Sequence, residues 1–278
     1  MQTHGDHWSC LYSDMENFPE QWLPQLLKRL PLLRQVPWTN PENIPSGENA
    51  DSLSIFAEQS GQVRHMFIVL SHSHLQKHVF FSGYPVAVQA SELSLRVTKV
   101  TPCEYGIEGT VSAEIGEQGE ITFFDSLFFL NRNRYKVGEF NRIRLAAFGY
   151  VVKPLNQEYV EIDDPERAAV LRETLNMPKD KPVRFLMTDF VARLPGETVD
   201  DCDFASPIKA ISALNVNGLV LHQATIAIAR LDEDLDAPLY FAPHVARNDP
   251  LLATGSMLQG AYWLQGYLSE SHAFFLGH

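Results

Sequence analysis

Near the C-terminal end runs "GSMLQGAYWLQGYL" (Gly255–Leu268), and 117 positions earlier runs "GEFNRIRLAAFGYV" (Gly138–Val151). Both begin with glycine, carry glycine at the twelfth place and follow it with tyrosine. Side chains alternate along a strand, so one face of the first stretch is Ile143, Leu145, Ala147, Gly149 and Val151. The corresponding face of the second is Gly260, Tyr262, Leu264, Gly266 and Leu268. Both faces are apolar and both place glycine second from the end. Extending the ungapped alignment over Glu120–Val151 and Ala237–Leu268 also matches Phe124 with Phe241 and Asn131 with Asn248. The pattern predicts two similar β-rich modules, 45–153 and 154–270, behind an N-terminal helical segment (1–44) and before a short tail (271–278).

Composition places the chain among globular proteins: 45% hydrophobic and 20% charged residues are too apolar for intrinsic disorder. The formal net charge of −12 disfavours broad binding to phosphate backbones, which depends on Lys and Arg. No basic start with an apolar run marks a secretory signal, and no apolar stretch approaches the ~20 residues of a membrane span. Three widely spaced cysteines, Cys10, Cys103 and Cys202, do not make a disulfide framework, so a cytoplasmic setting is expected.

Leu23, Leu26, Leu27 and Leu30 have helical spacing, and Pro24 and Pro31 each fit a first helical turn; two short helices meeting at Pro31 are expected. Trp38–Ser52 reads as a loop. From Val63 onward short apolar runs alternate with turn residues, among them "VRHMFIVL", "ITFFDSLFFL" and "GLVLHQATIAIARL", which predicts strands. One helix interrupts them: in "DDPERAAVLRETLNMP" an aspartate caps, Pro165 opens the helix, and Asn176 and Pro178 stop it. The expected class is α+β, dominated by antiparallel strands, with barrel- or sandwich-like modules and short helices.

Three clusters could carry chemistry. "SHSHLQKH" supplies His72, His74 and His78, which would share a face in a strand; histidines two apart can share a metal ion, but zinc needs further ligands. "RLDEDLDAP" has alternate aspartates yet lacks the glycine and final glutamate of a calcium loop, and reads as a solvated hairpin. "NRNRYKVGEFNRIR" (Asn131–Arg144) holds Arg132, Arg134, Lys136, Arg142 and Arg144 against the single acid Glu139. Aromatics on the same strand face, Tyr150 here and Trp263 and Tyr267 in the later stretch, extend it into a candidate binding surface. Cys202 among aspartates makes a poor nucleophile. No GxSxG, GxxxxGK[ST] or GxGxxG pattern occurs, so no catalytic motif is found and no cofactor is evident. The expected role is a non-catalytic binding or assembly protein that meets a protein partner or a second copy, with no membrane. The alternatives are a metal-dependent enzyme using His72, His74 and His78, or a single-strand nucleic-acid binder through Arg132–Arg144, which the net charge disfavours.

Overall fold

The computed structural model describes residues 7–14, 23–38, 50–72, 77–103, 106–116, 119–156, 159–161, 165–174, 176–178, 181–188, 190–216, 218–246 and 252–276. A 3₁₀ turn (His7–Cys10) and helix α1 (Leu23–Arg29) precede strands β1 (Leu32–Pro37), β2 (Ser52–Ala57), β3 (Val63–His72) and β4 (Lys77–Ala87). Then come β5 (Ser91–Pro102), β6 (Gly109–Glu114), β7 (Glu120–Asp125), the short helix α2 (Phe128–Asn131) and the long β8 (Phe140–Pro154). β9 (Tyr159–Glu161), helix α3 (Pro165–Thr174), β10 (Arg184–Leu186) and β11 (Ala192–Pro195) lead to β12 (Asp201–Val216), β13 (Leu219–Arg230), β14 (Asp234–Phe241) and β15 (Met257–Leu268). A 3₁₀ turn, Ser269–Phe275, follows. The class is β-rich α+β, with mainly antiparallel pairing. Among the described residues no helix is long and apolar enough to cross a membrane.

The two glycine-led stretches lie in β8 and β15, which pair antiparallel with Ala147 opposite Leu264. Each strand gives one edge to the other and divides its second edge between two neighbours. The first half of β8 pairs with β5, and beyond it Ala147 and Phe148 meet β14 in parallel. The first half of β15 pairs with β12, and Gln265 and Gly266 meet β7 in parallel. With the meanders β5–β6–β7 and β12–β13–β14, this closes two five-stranded rings that share β8 and β15. Exchanging β5–β8 for β12–β15 leaves this pairing scheme unchanged.

Ile143, Leu145 and Ala147 from β8, and Tyr262, Leu264 and Leu268 from β15, enter one buried cluster with the inward side chains of both meanders. The alternation breaks at one place. Tyr150 is an extra residue between the pairs Val151–Ala261 and Gly149–Tyr262, a bulge that reverses the faces beyond it. Val151, expected inward, is therefore 38% exposed, and Val152 is buried instead. Register also corrects the alignment upstream. Phe124 pairs with Gln265 and Tyr240 pairs with Phe148, so Phe124 corresponds to Tyr240 rather than to Phe241.

The opposite face of the ribbon (Phe148, Trp263 and Tyr267) packs beneath a second sheet of order β1–β2–β3–β4, whose β3 is buried along its whole length. Polar side chains stitch the layers together. Gln265 Nε2 donates to the Pro85 carbonyl at 2.6 Å, Tyr267 Oη to that of Val88 at 2.9 Å, and Tyr240 Oη to that of Gln89 at 2.7 Å.

Two local expectations change. The second N-terminal helix is strand β1. Pro31 and Pro37 leave too short a span for a helix, Val36 before proline is pushed toward extended backbone, and the Pro31 carbonyl accepts Ala57 N–H in the sheet at 3.3 Å. In "ITFFDSLFFL" the strand ends at Asp125, whose Oδ1 accepts Leu127 N–H at 2.8 Å and turns the chain into α2. Two other expectations appear as read. Helix α3 starts at Pro165, and Asn176 takes a φ of +51° just beyond it. The acidic "RLDEDLD" is the β13–β14 turn, where Asp234 accepts from Arg230 Nε at 2.8 Å and Lys209 Nζ at 2.9 Å.

Gly260 has a φ of +157°, and a Cβ there would sit 1.8 Å from the Val151 carbonyl oxygen. Gly260→Ala is expected to cost about 3 kcal/mol or more, because the obstacle is backbone. Gly138→Ala, in open space at a φ of +85°, should cost only ~1–2 kcal/mol. Urea unfolding of the two variants checks the order.

Asp125 is fully buried, and burial raises its pKa from 3.8 to about 7 against hydrogen bonds from Leu127 N–H, Tyr135 Oη and Asn131 Nδ2. The native state then holds a proton that the unfolded chain has lost, so this contribution is complete below about pH 4 and lost as pH rises through 7. Asp125→Asn removes that dependence. Relative to the variant, wild type should gain up to ~3 kcal/mol on going from pH 8 to pH 5, read from urea unfolding at both values.

Candidate anion-binding groove

β8 alternates an inward series, Ile143 and Leu145, with an outward series, Arg142 and Arg144. The outward pair meets Glu92 on β5. Arg144 lies directly opposite Glu92, and Arg142 lies two residues away on the same face. Arg142 Nε donates to Glu92 Oε1 at 2.9 Å, its Nη2 makes a further short contact, and Arg144 Nη2 stands 3.5 Å from Oε2. The hydrogen bonds from Arg142 hold the Glu92 carboxyl below its usual range.

The loop entering β8 adds Arg134 and Lys136. It is held rigid by Asn141, which accepts Lys136 N–H at 3.1 Å and donates to the carbonyls of Lys136 at 3.0 Å and Glu139 at 2.8 Å. Gly138, with positive φ, donates its N–H to Val97 at 2.7 Å and accepts Arg96 Nε at 2.9 Å, tying the loop to β5. Arg134 reaches the turn after β15, donating to Ser271 Oγ at 2.7 Å and pairing with Glu270 at 2.8 Å. Lys136 and Glu139 stand 3.9 Å apart with both side chains largely in solvent.

Arg134, Lys136, Arg142 and Arg144 thus line one open groove of about 600 Å3 together with Glu92 and Glu270. Four cations against two carboxylates leave it positive inside a chain of charge −12. Phe140 projects at the rim, 71% exposed. His272 also lines the groove. Burial, then the charges of Arg144 and Arg64, push its pKa down, and its Nδ1 shares a 3.0 Å hydrogen bond with Tyr267 Oη.

Of the residues proposed from sequence, Arg134, Arg142 and Arg144 come together here; the others lie elsewhere. Arg132 donates to the Gly106 carbonyl at 3.1 Å and stacks on Trp38, 4.5 Å from the ring centre. The expected exposed aromatic face is covered by the four-stranded sheet, because Phe148, Trp263 and Tyr267 supply the apolar area that seals the two layers. The His7 ring stacks on Trp263 at 3.6 Å, Trp263 Nε1 donates to Asp200 at 2.9 Å, and Tyr150 is hydrogen-bonded to His7 Nδ1. Burial raises the Tyr150 pKa, as it does that of the neighbouring Asp201. Lys136 and Phe140 belong to the basic stretch. Glu92, Glu270 and His272 lacked a local signal, since only strand register brings them in.

His72 and His78 do not share a face. Register sets Lys77 opposite His72, and His78 opposite Ser71, whose Oγ meets His78 Nδ1 at 3.0 Å. Paired residues share a face, so His72 lies buried on one side of the hairpin and His78 exposed on the other. His74 lies outside the described residues. Among the described residues no group of three or more His, Cys, Asp or Glu is placed to hold a metal ion. Cys202 is buried, which raises its thiol pKa despite Arg193 nearby.

No family model, curated protein or solved structure matches this chain.

The Arg142–Glu92 and Arg144–Glu92 pairs sit at the surface and bind β8 to its own neighbour β5. Replacing both arginines with glutamine is therefore expected to cost at most about 1 kcal/mol. Thermal melting of the double variant within a few degrees of wild type is the check.

Proposed function

We propose that the protein is a binding protein whose basic groove takes an anionic segment of a protein partner. The observation that supports this reading is the convergence of Arg134, Lys136, Arg142 and Arg144 on one groove in a strongly acidic chain. Glu92 and Glu270 neutralise part of that charge and hold the guanidinium groups in place, so an entering carboxylate meets oriented donors. The exposed Phe140 offers apolar contact at the rim. Its four cationic side chains are hydrogen-bond donors, which suits the binding of an anion. The net charge of −12 disfavours a long nucleic acid, whose phosphates extend past the groove, more than a short acidic peptide. A cytoplasmic setting is supported by three free cysteines. The same reading takes 45–153 and 154–270 as related modules, supported by the matching pairing of β5–β8 and β12–β15.

Fluorescence anisotropy with a labelled Glu-rich peptide and a labelled single-stranded oligonucleotide tests the proposal. Expected are saturable peptide binding that weakens with salt, a loss of ~10-fold or more in Arg142→Gln/Arg144→Gln, and unchanged melting of that variant. Tighter binding of the oligonucleotide through the same arginines would favour nucleic acid as the partner. Peptide binding indifferent to the double substitution would remove the groove from the function.

A further inference from the structure

A second groove, of about 520 Å3, is lined by Tyr12, His65 and Glu58 together with Arg29 and Gln59. Tyr12 follows the first 3₁₀ turn, Glu58 follows β2, and His65 lies on β3, so three segments of the chain meet here. His65 Nδ1 stands 2.5 Å from Glu58 Oε1, and the main-chain N–H of His65 donates to Oε2 at 2.6 Å. Both carboxylate oxygens are thereby held. With the Nδ1 proton directed at Glu58, Nε2 is the acceptor, and the Tyr12 phenol lies 2.7 Å from it. The Trp8 ring stacks on the imidazole at 5.6 Å and fixes its plane. A hydroxyl, a base and a group that orients the base stand in hydrogen-bond sequence, the arrangement nucleophilic catalysis requires. An ionisable chain of this kind at the wall of a groove is costly to desolvate and adds nothing to packing that apolar side chains would not.

We propose that this groove is an acyl-transfer site for small carboxylic esters, with Tyr12 as nucleophile, His65 as general base and Glu58 as positioning residue. Tyr12 Oη forms a bond to the ester carbonyl carbon as its proton passes to His65 Nε2. The carbonyl electron pair moves onto oxygen and returns as the bond to the departing alcohol oxygen breaks, and that oxygen takes the proton from Nε2. Water, giving a proton to Nε2, then attacks the tyrosyl ester. The carbon–Oη bond breaks, the proton returns to Oη, and the sum is ester plus water to acid plus alcohol. Arg29 and Gln59 supply side-chain N–H groups within the groove for the charge that develops on the carbonyl oxygen. Burial and the Glu58 charge keep the Tyr12 phenol protonated, so the nucleophile forms only as the base withdraws its proton.

The test uses the full chain and p-nitrophenyl acetate. Expected are a burst of p-nitrophenolate equal to the protein present, one acetyl group mapped to Tyr12 by peptide mass analysis, and no burst from Tyr12→Phe. Glu58→Gln should lower the acylation rate at saturating ester by ~100-fold while moving the half-saturating concentration by less than ~2-fold. If Tyr12→Phe melts lower than wild type, the position of the acetyl group in wild type decides alone. No burst, acetylation confined to lysines, or an undiminished burst from a folded Tyr12→Phe protein would overturn the proposal. So would a Glu58→Gln protein that acylates at the wild-type rate.

Discussion

Both rings close on one hydrogen-bonded ribbon, β8 against β15, and neither could exist without it. Within that ribbon each strand spends one edge on the other and shares its second edge between two partners. The consequence is that these two strands expose no long free edge to another chain. It also places severe steric demands on the ribbon. Gly149 faces Tyr262 and Gly266 faces Leu145 across it, so each large side chain has a partner without one. A Cβ on Gly266 would lie 2.6 Å from Leu145 Cδ2 and 2.7 Å from Phe123 Cδ2. Gly266 is therefore space for the opposite strand, whereas a Cβ on Gly149 would meet Val152 Cγ2 at 2.7 Å and Phe241 Cβ at 3.3 Å.

That requirement is why the ribbon was legible in sequence. Leu145 and Tyr262 both enter the same cluster, as strict alternation from the two glycine-led stretches requires. Alternation ceased to inform at Tyr150, because a bulge depends on the partner strand and leaves no mark on its own strand. His72 and His78 misled for the same reason: they lie on two paired strands, and parity within one strand says nothing about parity across a hairpin. Glu92 was out of reach because its place beside Arg142 and Arg144 depends on the pairing of β5 with β8, fifty positions away. The Tyr12, Glu58 and His65 cluster had no local pattern either, since three separate segments assemble it.

The aromatic residues failed in an instructive way. Trp263 and Tyr267 alternate with Leu264 and Leu268, so one face had to enter the rings and the other was free to meet solvent or a further layer. The sequence of β15 does not distinguish these two fates, since tyrosine and tryptophan serve at both kinds of surface. Their polar handles decide it in the structure. Tyr267 Oη and Gln265 Nε2 reach carbonyls at the end of β4, so the second layer is bonded as well as packed, and Trp263 Nε1 is satisfied by Asp200 just before β12. A buried glutamine between two aromatics, with both its amide groups engaged by Pro85 and Ala87, has a role only if another backbone lies against that face.

One cation of the basic groove, Arg134, is ordered from the interior as well as by its surface pair with Glu270. Asp125 is held by Leu127, Asn131 and Tyr135 at the start and end of the α2 turn. Asn131 in turn accepts Ser271 Oγ–H at 2.6 Å, and Ser271 accepts Arg134. A continuous hydrogen-bonded chain therefore runs from a fully buried carboxyl group to a cation in the groove, joining the β7–α2 corner to the turn after β15. Surface ion pairs alone fix long side chains weakly, because each pair gains little and loses rotamer freedom. A guanidinium anchored through Ser271 and Asn131 has lost that freedom on folding, and an anion entering the groove does not have to restrict it again.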